Sequence, residues 1–139
     1  MNYPEIKDTV FKELESVFDS VDGKQFEQFA EMICQADKVF VTGVGRVLLM
    51  MQAFEKRLNH LGIDSYYVGE INEPAITEND LLIVGSGSGE SVVPVAVVKT
   101  ASKFSPKIVH IGSNPNSSMT PYETLFVRIP CSTKLALEG

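Results

Sequence analysis

The sequence predicts an α/β fold, a three-layer αβα sandwich around a five-stranded parallel sheet, led by an N-terminal helical arm. Short apolar runs alternate with longer segments in which apolar residues recur at helical spacing, an order typical of a parallel sheet covered on both faces. Glycine-rich turns follow two of the predicted strands, at residues 43–45 and 85–91. Ligands of such sheets bind outside the carboxyl ends of the strands, where both turns should lie.

Length and composition favour one globular domain and exclude several classes of function. The chain has 139 residues, of which 44% are hydrophobic and 22% are charged. Its net charge of −6 argues against a nucleic-acid partner, because no basic stripe is available to neutralise phosphates. No apolar run approaches the ~20 residues of a membrane helix, and no charged-then-apolar leader opens the sequence. We therefore expect a cytoplasmic protein that does not engage a membrane.

Two amphipathic helices are predicted over residues 1–36, as an arm that belongs to the same domain as residues 37–139. Asn2 and Pro4 are typical of a helix start, and Asp22-Gly23 separates the two helices. The apolar stripe of the first helix contains Ile6, Val10, Phe11, Leu14, Val17, Phe18 and Val21. A stripe this wide, on an arm outside the sheet, predicts a homo-oligomer, either a dimer or a tetramer.

The cysteines and histidines predict neither a disulfide nor a metal site. Cys34 falls on the apolar stripe of the second predicted helix, so we expect a buried thiol, and Cys131 lies far from it in the sequence. His60 and His110 are the only histidines, and no spacing resembles a zinc site. His110 lies within a predicted strand and is expected to be packed or surface-facing, with no part in catalysis.

The rest of the chain alternates between strands and helices. Strands are predicted over residues 38–42, 65–68, 80–84, 107–111 and 124–129. Helices are predicted from Gly45 to near Gly62 and from Val92 to Phe104. Residues 69–79 are expected to form a loop, since a proline at position 74 disfavours helix before it. Residues 112–118 are rich in turn formers.

The loop after the third predicted strand is suited to binding a phosphate monoester. It carries three glycines and three hydroxyls in the run from Gly85 to Ser91, and a helix follows it. Glycines let backbone N–H groups approach a ligand closely, and a helix N-terminus adds free donors with partial positive charge. Pro94 places the helix start near Ser91, because its missing N–H is harmless only in the first turn. The alternative is an ordinary turn, in which serine and glycine are also common.

The turn Gly43-Val44-Gly45 resembles a dinucleotide fingerprint only in part. The third glycine of that pattern is replaced by Leu48, and Glu70 comes later than the ~20-residue spacing of a ribose-binding acid. A nucleotide site is therefore not favoured. Arg46, directly after the turn, could clamp an oxyanion or enediolate, while the alternative is a tight strand-to-helix turn.

Three further residues are candidates for proton transfer. Glu70 and Glu90 each stand beside a candidate ligand loop and could act as general bases. His60, at the end of the third predicted helix, could move protons or could simply interact with the last carbonyls of that helix.

With both turns considered, the sequence resembles the sugar isomerase (SIS) domain family, whose hallmark is similar to residues 86–91. Within that family it is most similar to the 6-phospho-3-hexuloisomerase subgroup. The similar segments are Thr42-Gly43-Val44-Gly45-Arg46, Arg57-Leu58-Asn59-His60-Leu61-Gly62, Tyr67-Val68-Gly69-Glu70 and Asp80-Leu81-Leu82-Ile83. The resemblance implies a Rossmann-like SIS fold.

It also implies interconversion of 3-hexulose 6-phosphate and fructose 6-phosphate through an enediol(ate), without a metal or organic cofactor. The implied substrate-binding residues are Gly43, Gly45, Arg46, Ser86, Gly87, Ser88 and Ser91, with the three serines on the phosphate. For catalysis the resemblance implies Arg46, beside the sugar, and His60, which could assist ring opening or proton movement at a subunit interface. Glu70 and Glu90 remain the candidate bases that their positions beside the two loops suggest.

The sequence departs from the family pattern at two places. Val47-Leu48 stands where relatives usually have serine and glycine, which removes a hydroxyl. Residues 37–139 are also short at the C-terminus relative to the family, whose members continue through a segment with a further glutamate. These departures keep open a second interpretation, a non-catalytic module that binds or senses a phosphosugar.

Overall fold

A computed structural model of the chain describes residues 1–132 and confirms the predicted fold class. The strands are β1 (Val39–Thr42), β2 (Ser65–Tyr67), β3 (Leu81–Gly85), β4 (Lys107–Gly112) and β5 (Leu125–Arg128). The helices are α1 (Tyr3–Asp19), α2 (Gly23–Gln35), α3 (Gly45–His60) and α4 (Val92–Ser102), and Thr120–Tyr122 forms a 3-10 turn. All five predicted strands are present, with ends displaced by no more than one residue.

The arm begins and breaks where the sequence predicts. The Asn2 side chain accepts a hydrogen bond from the Glu5 N–H at 3.1 Å, and the Glu5 carboxylate accepts one from the Asn2 N–H at 3.2 Å. This reciprocal capping box starts α1. The Asp22 carboxylate caps α2 by accepting from the Lys24 N–H at 2.9 Å. No residue of α1 is buried, so this helix stands away from the sheet.

The five strands form one parallel sheet in the order β2-β1-β3-β4-β5, with helices packed on both faces. On one face, Phe29 and Ile33 of α2 and Met51 and Leu58 of α3 pack against the strands. On the other face, Val98 of α4 packs against the strands. The strands are buried from both sides, which explains why they read as continuous apolar runs.

The prediction that Cys34 is buried is wrong, because its thiol is exposed. The buried face of α2 consists of Phe29, Met32 and Ile33, at the i, i+3, i+4 spacing of a helix. Cys34 is one position further around, and Phe26 is also exposed. The apolar stripe is thus wider than the surface the sheet covers.

The strand order reverses between β1 and β3, and this reversal positions the candidate site. The chain leaves β1 towards α3 on one face of the sheet and leaves β3 towards α4 on the other. Connections that depart in opposite directions from neighbouring parallel strands open a crevice at their carboxyl ends. Both glycine-rich turns lie at this crevice.

Candidate functional site

A cavity of about 510 Å³ lies where β1 and β3 end and α3 and α4 begin. Six of the predicted site residues line it: Gly45, Arg46, Ser86, Gly87, Ser88 and Ser91. Gly43, the seventh predicted binding residue, is buried and does not line the cavity. A Cβ added at Gly43 would lie 3.3 Å from the Gly85 carbonyl oxygen. The fold thus brings two predicted turns, at residues 43–45 and 85–91, to one opening.

The hydroxyls of Ser86 and Ser88 are buried and shape the loop that carries them. Ser86 Oγ accepts a hydrogen bond from the Gly89 N–H at 3.0 Å, and Ser88 Oγ accepts one from the Glu90 N–H at 3.1 Å. A serine hydroxyl has one proton to donate besides the lone pairs used here. Both side chains can therefore donate to an acceptor placed in the cavity.

Two helix N-termini face the same cavity without a side-chain cap. Neither Val44, which precedes α3, nor Ser91, which precedes α4, caps its helix through a side-chain hydrogen bond. The first N–H groups of a helix have no partner within it and carry partial positive charge. Pro94 occupies the first turn of α4, as predicted from its missing N–H. The arrangement favours an anion between the two helices.

The segment after β4 fixes the loop from its other side. Ser113 donates its N–H and its hydroxyl to the Gly87 carbonyl oxygen, each at 2.9 Å. The Asn114 amide donates to the Ser88 carbonyl oxygen at 3.0 Å. The sequence predicts only that this segment is turn-rich, because nothing in its spacing indicates what its polar groups bind.

Glu90 lies at the rim of the loop with its carboxylate already engaged. The Ser118 N–H and hydroxyl donate to its two oxygens at 2.8 and 2.6 Å. Both hydrogen bonds lower the pKa of the Glu90 carboxyl, and the one from the Ser118 hydroxyl has the larger effect. The group stays ionised over the neutral range and ties the loop to residue 118.

His60 and Glu70 do not line the cavity. His60 is exposed at the C-terminal end of α3, and a rise of 1.5 Å per residue puts it roughly 20 Å from the N-terminus of that helix. Glu70 follows the edge strand β2, and its carboxylate accepts from the Tyr67 N–H at 3.1 Å. Among the lining residues that the structure describes, Arg46 supplies charge and no carboxylate is present.

His110 is fully buried in β4, so of the two placements expected for it, packed or surface-facing, the structure has the packed one. Its Nε2 lies 2.7 Å from the Ser86 carbonyl oxygen, and its Nδ1 lies 3.0 Å from Glu123 Oε2. The ring also packs against Phe126, with ring centroids 5.0 Å apart. No local pattern in the sequence indicates that His110 contacts the loop, because the loop follows β3 and His110 lies in β4.

A second opening, of about 460 Å³, lies between α4 and the loop after β2. Its walls are mostly apolar, with Val68, Ile76, Leu82, Val93 and Phe104 among them. It offers few groups for a polar ligand. Over residues 1–132, no three His, Cys, Asp or Glu side chains come together to hold a metal ion. Nor does any helix in that range have the length and apolarity needed to cross a membrane.

The fold is a doubly wound α/β sheet with a cavity at its strand reversal. The chain matches the family model of the SIS domain over residues 32–135 and belongs to this family. The resemblance inferred from the two turns is therefore confirmed.

Two relatives are identical to this chain at about a third of the aligned positions. It is 33% identical over 125 residues to a 3-hexulose-6-phosphate isomerase of Bacillus subtilis, covering 90% of this chain and 68% of the relative. With a protein of the same name from Mycobacterium gastri it is 36% identical over 114 residues, covering 82% and 57%.

The fold is also similar to a hypothetical protein of Methanococcus jannaschii whose crystal structure infers a function of 3-hexulose-6-phosphate isomerase. The TM-score is 0.74 at 30% identity, covering 81% of this chain and 63% of that one. The chain spans 68% of the length of the Bacillus subtilis relative and 57% of that of the Mycobacterium gastri relative.

Proposed function

We propose that the chain binds the phosphate of a phosphorylated sugar in the cavity between α3 and α4 and acts in a phosphosugar isomerase. The observation that carries this proposal is the meeting of the Ser86–Ser91 loop with two helix N-termini that lack side-chain caps. The substrate pair we propose, 3-hexulose 6-phosphate and fructose 6-phosphate, is supported by the names of the relatives.

In this proposal the phosphate is held by neutral donors. The hydroxyls of Ser86, Ser88 and Ser91 and the first N–H groups of α4 donate to its oxygens. The net charge of −6 gives the protein no long-range attraction for an anion, so these local donors must provide the binding. The phosphate anchors the far end of the sugar and leaves the carbonyl end towards Arg46.

The isomerisation moves a carbonyl between neighbouring carbons. A base removes the proton from C2 of the 3-hexulose, an enediolate forms across C2 and C3, and C3 accepts a proton as the C2 carbonyl forms. The Arg46 guanidinium would stabilise the developing oxyanion. Glu90 is held at its two oxygens by Ser118, and Glu70 bonds the Tyr67 N–H, so neither carboxylate is directed into the cavity by these contacts.

The exposed position of His60 supports a role between subunits. Within one chain it lies at the opposite end of α3 from the cavity. We propose that His60 of a second copy approaches the sugar and assists ring opening or proton movement. This step needs the homo-oligomer that the apolar stripe of α1 predicts.

A second candidate function is phosphosugar binding without turnover, as in a sensor. Two observations favour it. The described lining of the cavity holds no carboxylate, and Val47 stands where the family pattern that this sequence resembles usually has serine. Loss of a proton-transfer group typically costs ~10²–10⁴ in rate.

Exchange in D₂O separates the two functions. The protein is incubated with fructose 6-phosphate, and the C3 proton of the sugar is followed by NMR. Decay of that signal shows enolisation even when net conversion is small. Ser88→Ala should slow the decay, whereas Ser102→Ala, at the far end of α4, should not. Thermal stabilisation by the sugar phosphate without exchange would favour the sensor. If the sugar phosphate causes neither exchange nor thermal stabilisation, both functions are overturned.

A further inference from the structure

Beneath the proposed phosphate loop lies a histidine whose two ring nitrogens both face acceptors. His110 Nε2 is 2.7 Å from the carbonyl oxygen of Ser86, and Nδ1 is 3.0 Å from Oε2 of Glu123. The ring is fully buried, and the Glu123 side chain is 10% exposed. Neither partner can rearrange freely into solvent.

The identity of these acceptors determines where protons must be. A carbonyl oxygen only accepts, so Nε2 must carry a proton. The contact between Nδ1 and the carboxyl oxygen needs a second proton between them. A proton on Nδ1 makes this contact a charge-assisted hydrogen bond, which is the stronger kind. With that proton on the ring, the pair is an imidazolium and a carboxylate with no net charge.

The ring lies directly against the loop. A Cβ added at Gly89 would lie 3.1 Å from His110 Cε1, and one added at Gly112 would lie 2.6 Å from Nε2. The loop and the end of β4 can approach the imidazole this closely because neither position carries a side chain. Nε2 and Cε1 face the loop, whereas Glu123 lies on the Nδ1 side.

We propose that Glu123 holds His110 as an imidazolium, which positions the Ser86–Gly89 loop and places a positive charge beneath the bound phosphate. This inference rests on the proposed function, because it assigns a role in binding the same phosphate. His110 is a positioning residue. It acts through its hydrogen bond to the Ser86 carbonyl and through the electrostatic field of its positively charged ring. A cation nearer the phosphate than its balancing carboxylate strengthens the binding of an anion.

The first test reads the ring directly and needs no ligand. Nitrogen NMR of protein labelled with ¹⁵N-histidine at neutral pH should show both His110 nitrogens protonated. Glu123→Gln should convert the ring to a neutral form with a proton on Nε2 alone, since the glutamine amide can donate to Nδ1. An unprotonated nitrogen in the unsubstituted protein would overturn the inference.

The second test measures affinity by calorimetry with fructose 6-phosphate and with inorganic phosphate. Glu123→Gln preserves both hydrogen bonds of the ring, so it is preferred to replacing the buried His110. It should weaken binding of both ligands by about fivefold. Glu55→Gln is the matched control, because that buried carboxylate bonds Asn59 and Ser65 near the far end of α3. It should leave both affinities unchanged.

The outcomes separate this inference from the proposed function. Binding by the unsubstituted protein with equal affinity in Glu123→Gln would overturn the inference alone. Absence of binding of either ligand to the unsubstituted protein would overturn the proposed function, and the phosphate role of His110 with it. A similar loss in Glu55→Gln would show a general effect of buried carboxylates and would also overturn the inference.

Discussion

Ser118 and Glu90, 28 residues apart, are joined by two hydrogen bonds from the serine N–H and hydroxyl to the two carboxylate oxygens. They connect the rim of the proposed phosphate loop to the segment that follows β4. Earlier in the loop, the carbonyl oxygens of Gly87 and Ser88 accept hydrogen bonds from the side chains of Ser113 and Asn114. The loop is therefore supported along its length before any ligand arrives, which is the preorganisation that tight anion binding requires.

Replacing Ser118 by alanine should change how stability depends on pH. The lowered pKa of Glu90 means that its ionised form is favoured in the folded protein. Such a group stabilises the fold above its unfolded pKa, and this stabilisation is lost as pH falls through the folded pKa. The unsubstituted protein should therefore be more stable than Ser118→Ala at pH 7, with the difference shrinking in acid.

Thermal unfolding at neutral and acidic pH measures this difference. Glu90→Gln is the control, because it removes the titrating group and should show no excess acid sensitivity from this pair. A difference between the unsubstituted protein and Ser118→Ala that is the same at both pH values would contradict the prediction.

Ser88→Ala should weaken the binding of fructose 6-phosphate by roughly tenfold to a hundredfold, because a hydrogen bond to a charged group contributes about 1.5–3 kcal/mol. Calorimetry gives the two dissociation constants. Ser102 is the last residue of α4, at the end of that helix away from the cavity, so Ser102→Ala should bind like the unsubstituted protein. Equal affinity for Ser88→Ala would remove this loop from the site.

Gly89→Ala should cost more stability than Gly45→Ala. Both glycines have positive φ, +70° and +60°, which costs an L residue about 1–2 kcal/mol. Nothing lies within 4 Å of a Cβ at Gly45, so its cost is that strain alone. A Cβ at Gly89 would also collide with the Ser117 side chain. Denaturant unfolding of the two variants tests the order, and equal losses would contradict the steric part of the argument.

The sheet and the cavity could be predicted because their signals are local. Apolar runs bounded by turns identify the strands, and a run such as Ser86 to Ser91 after a buried strand identifies the loop. The partners of His110 and Glu90 could not be predicted, because these contacts join β4 and its following segment to other elements. Cys34 was misplaced for a related reason, since a helix stripe does not show how much of its width the sheet covers.

Leu14→Glu should shift the protein from an oligomer to a monomer. No residue of α1 is buried within one chain, and Phe11 and Phe18 are 65% and 72% exposed. An apolar stripe of this extent is expected to be covered by another copy of the chain. Light scattering at micromolar concentration gives the mass. Ser16→Glu adds the same charge off the apolar stripe and should leave the oligomer intact, whereas a monomeric unsubstituted protein would contradict the prediction.

Mixing two impaired variants, at a sugar concentration too low for Ser88→Ala to bind appreciably, should restore exchange if His60 acts across a subunit interface. His60→Ala and Ser88→Ala each damage every site of their own oligomers. In a mixed dimer, however, one site combines an intact Ser88 from one chain with an intact His60 from the other. Unfolding and refolding an equal mixture should therefore recover about a quarter of the unsubstituted rate of C3 proton loss from fructose 6-phosphate in D₂O. Each variant refolded alone is the control. Exchange that stays at the level of the separate variants, in a mixture shown to contain mixed dimers, would mean that His60 does not serve the cavity of a second copy.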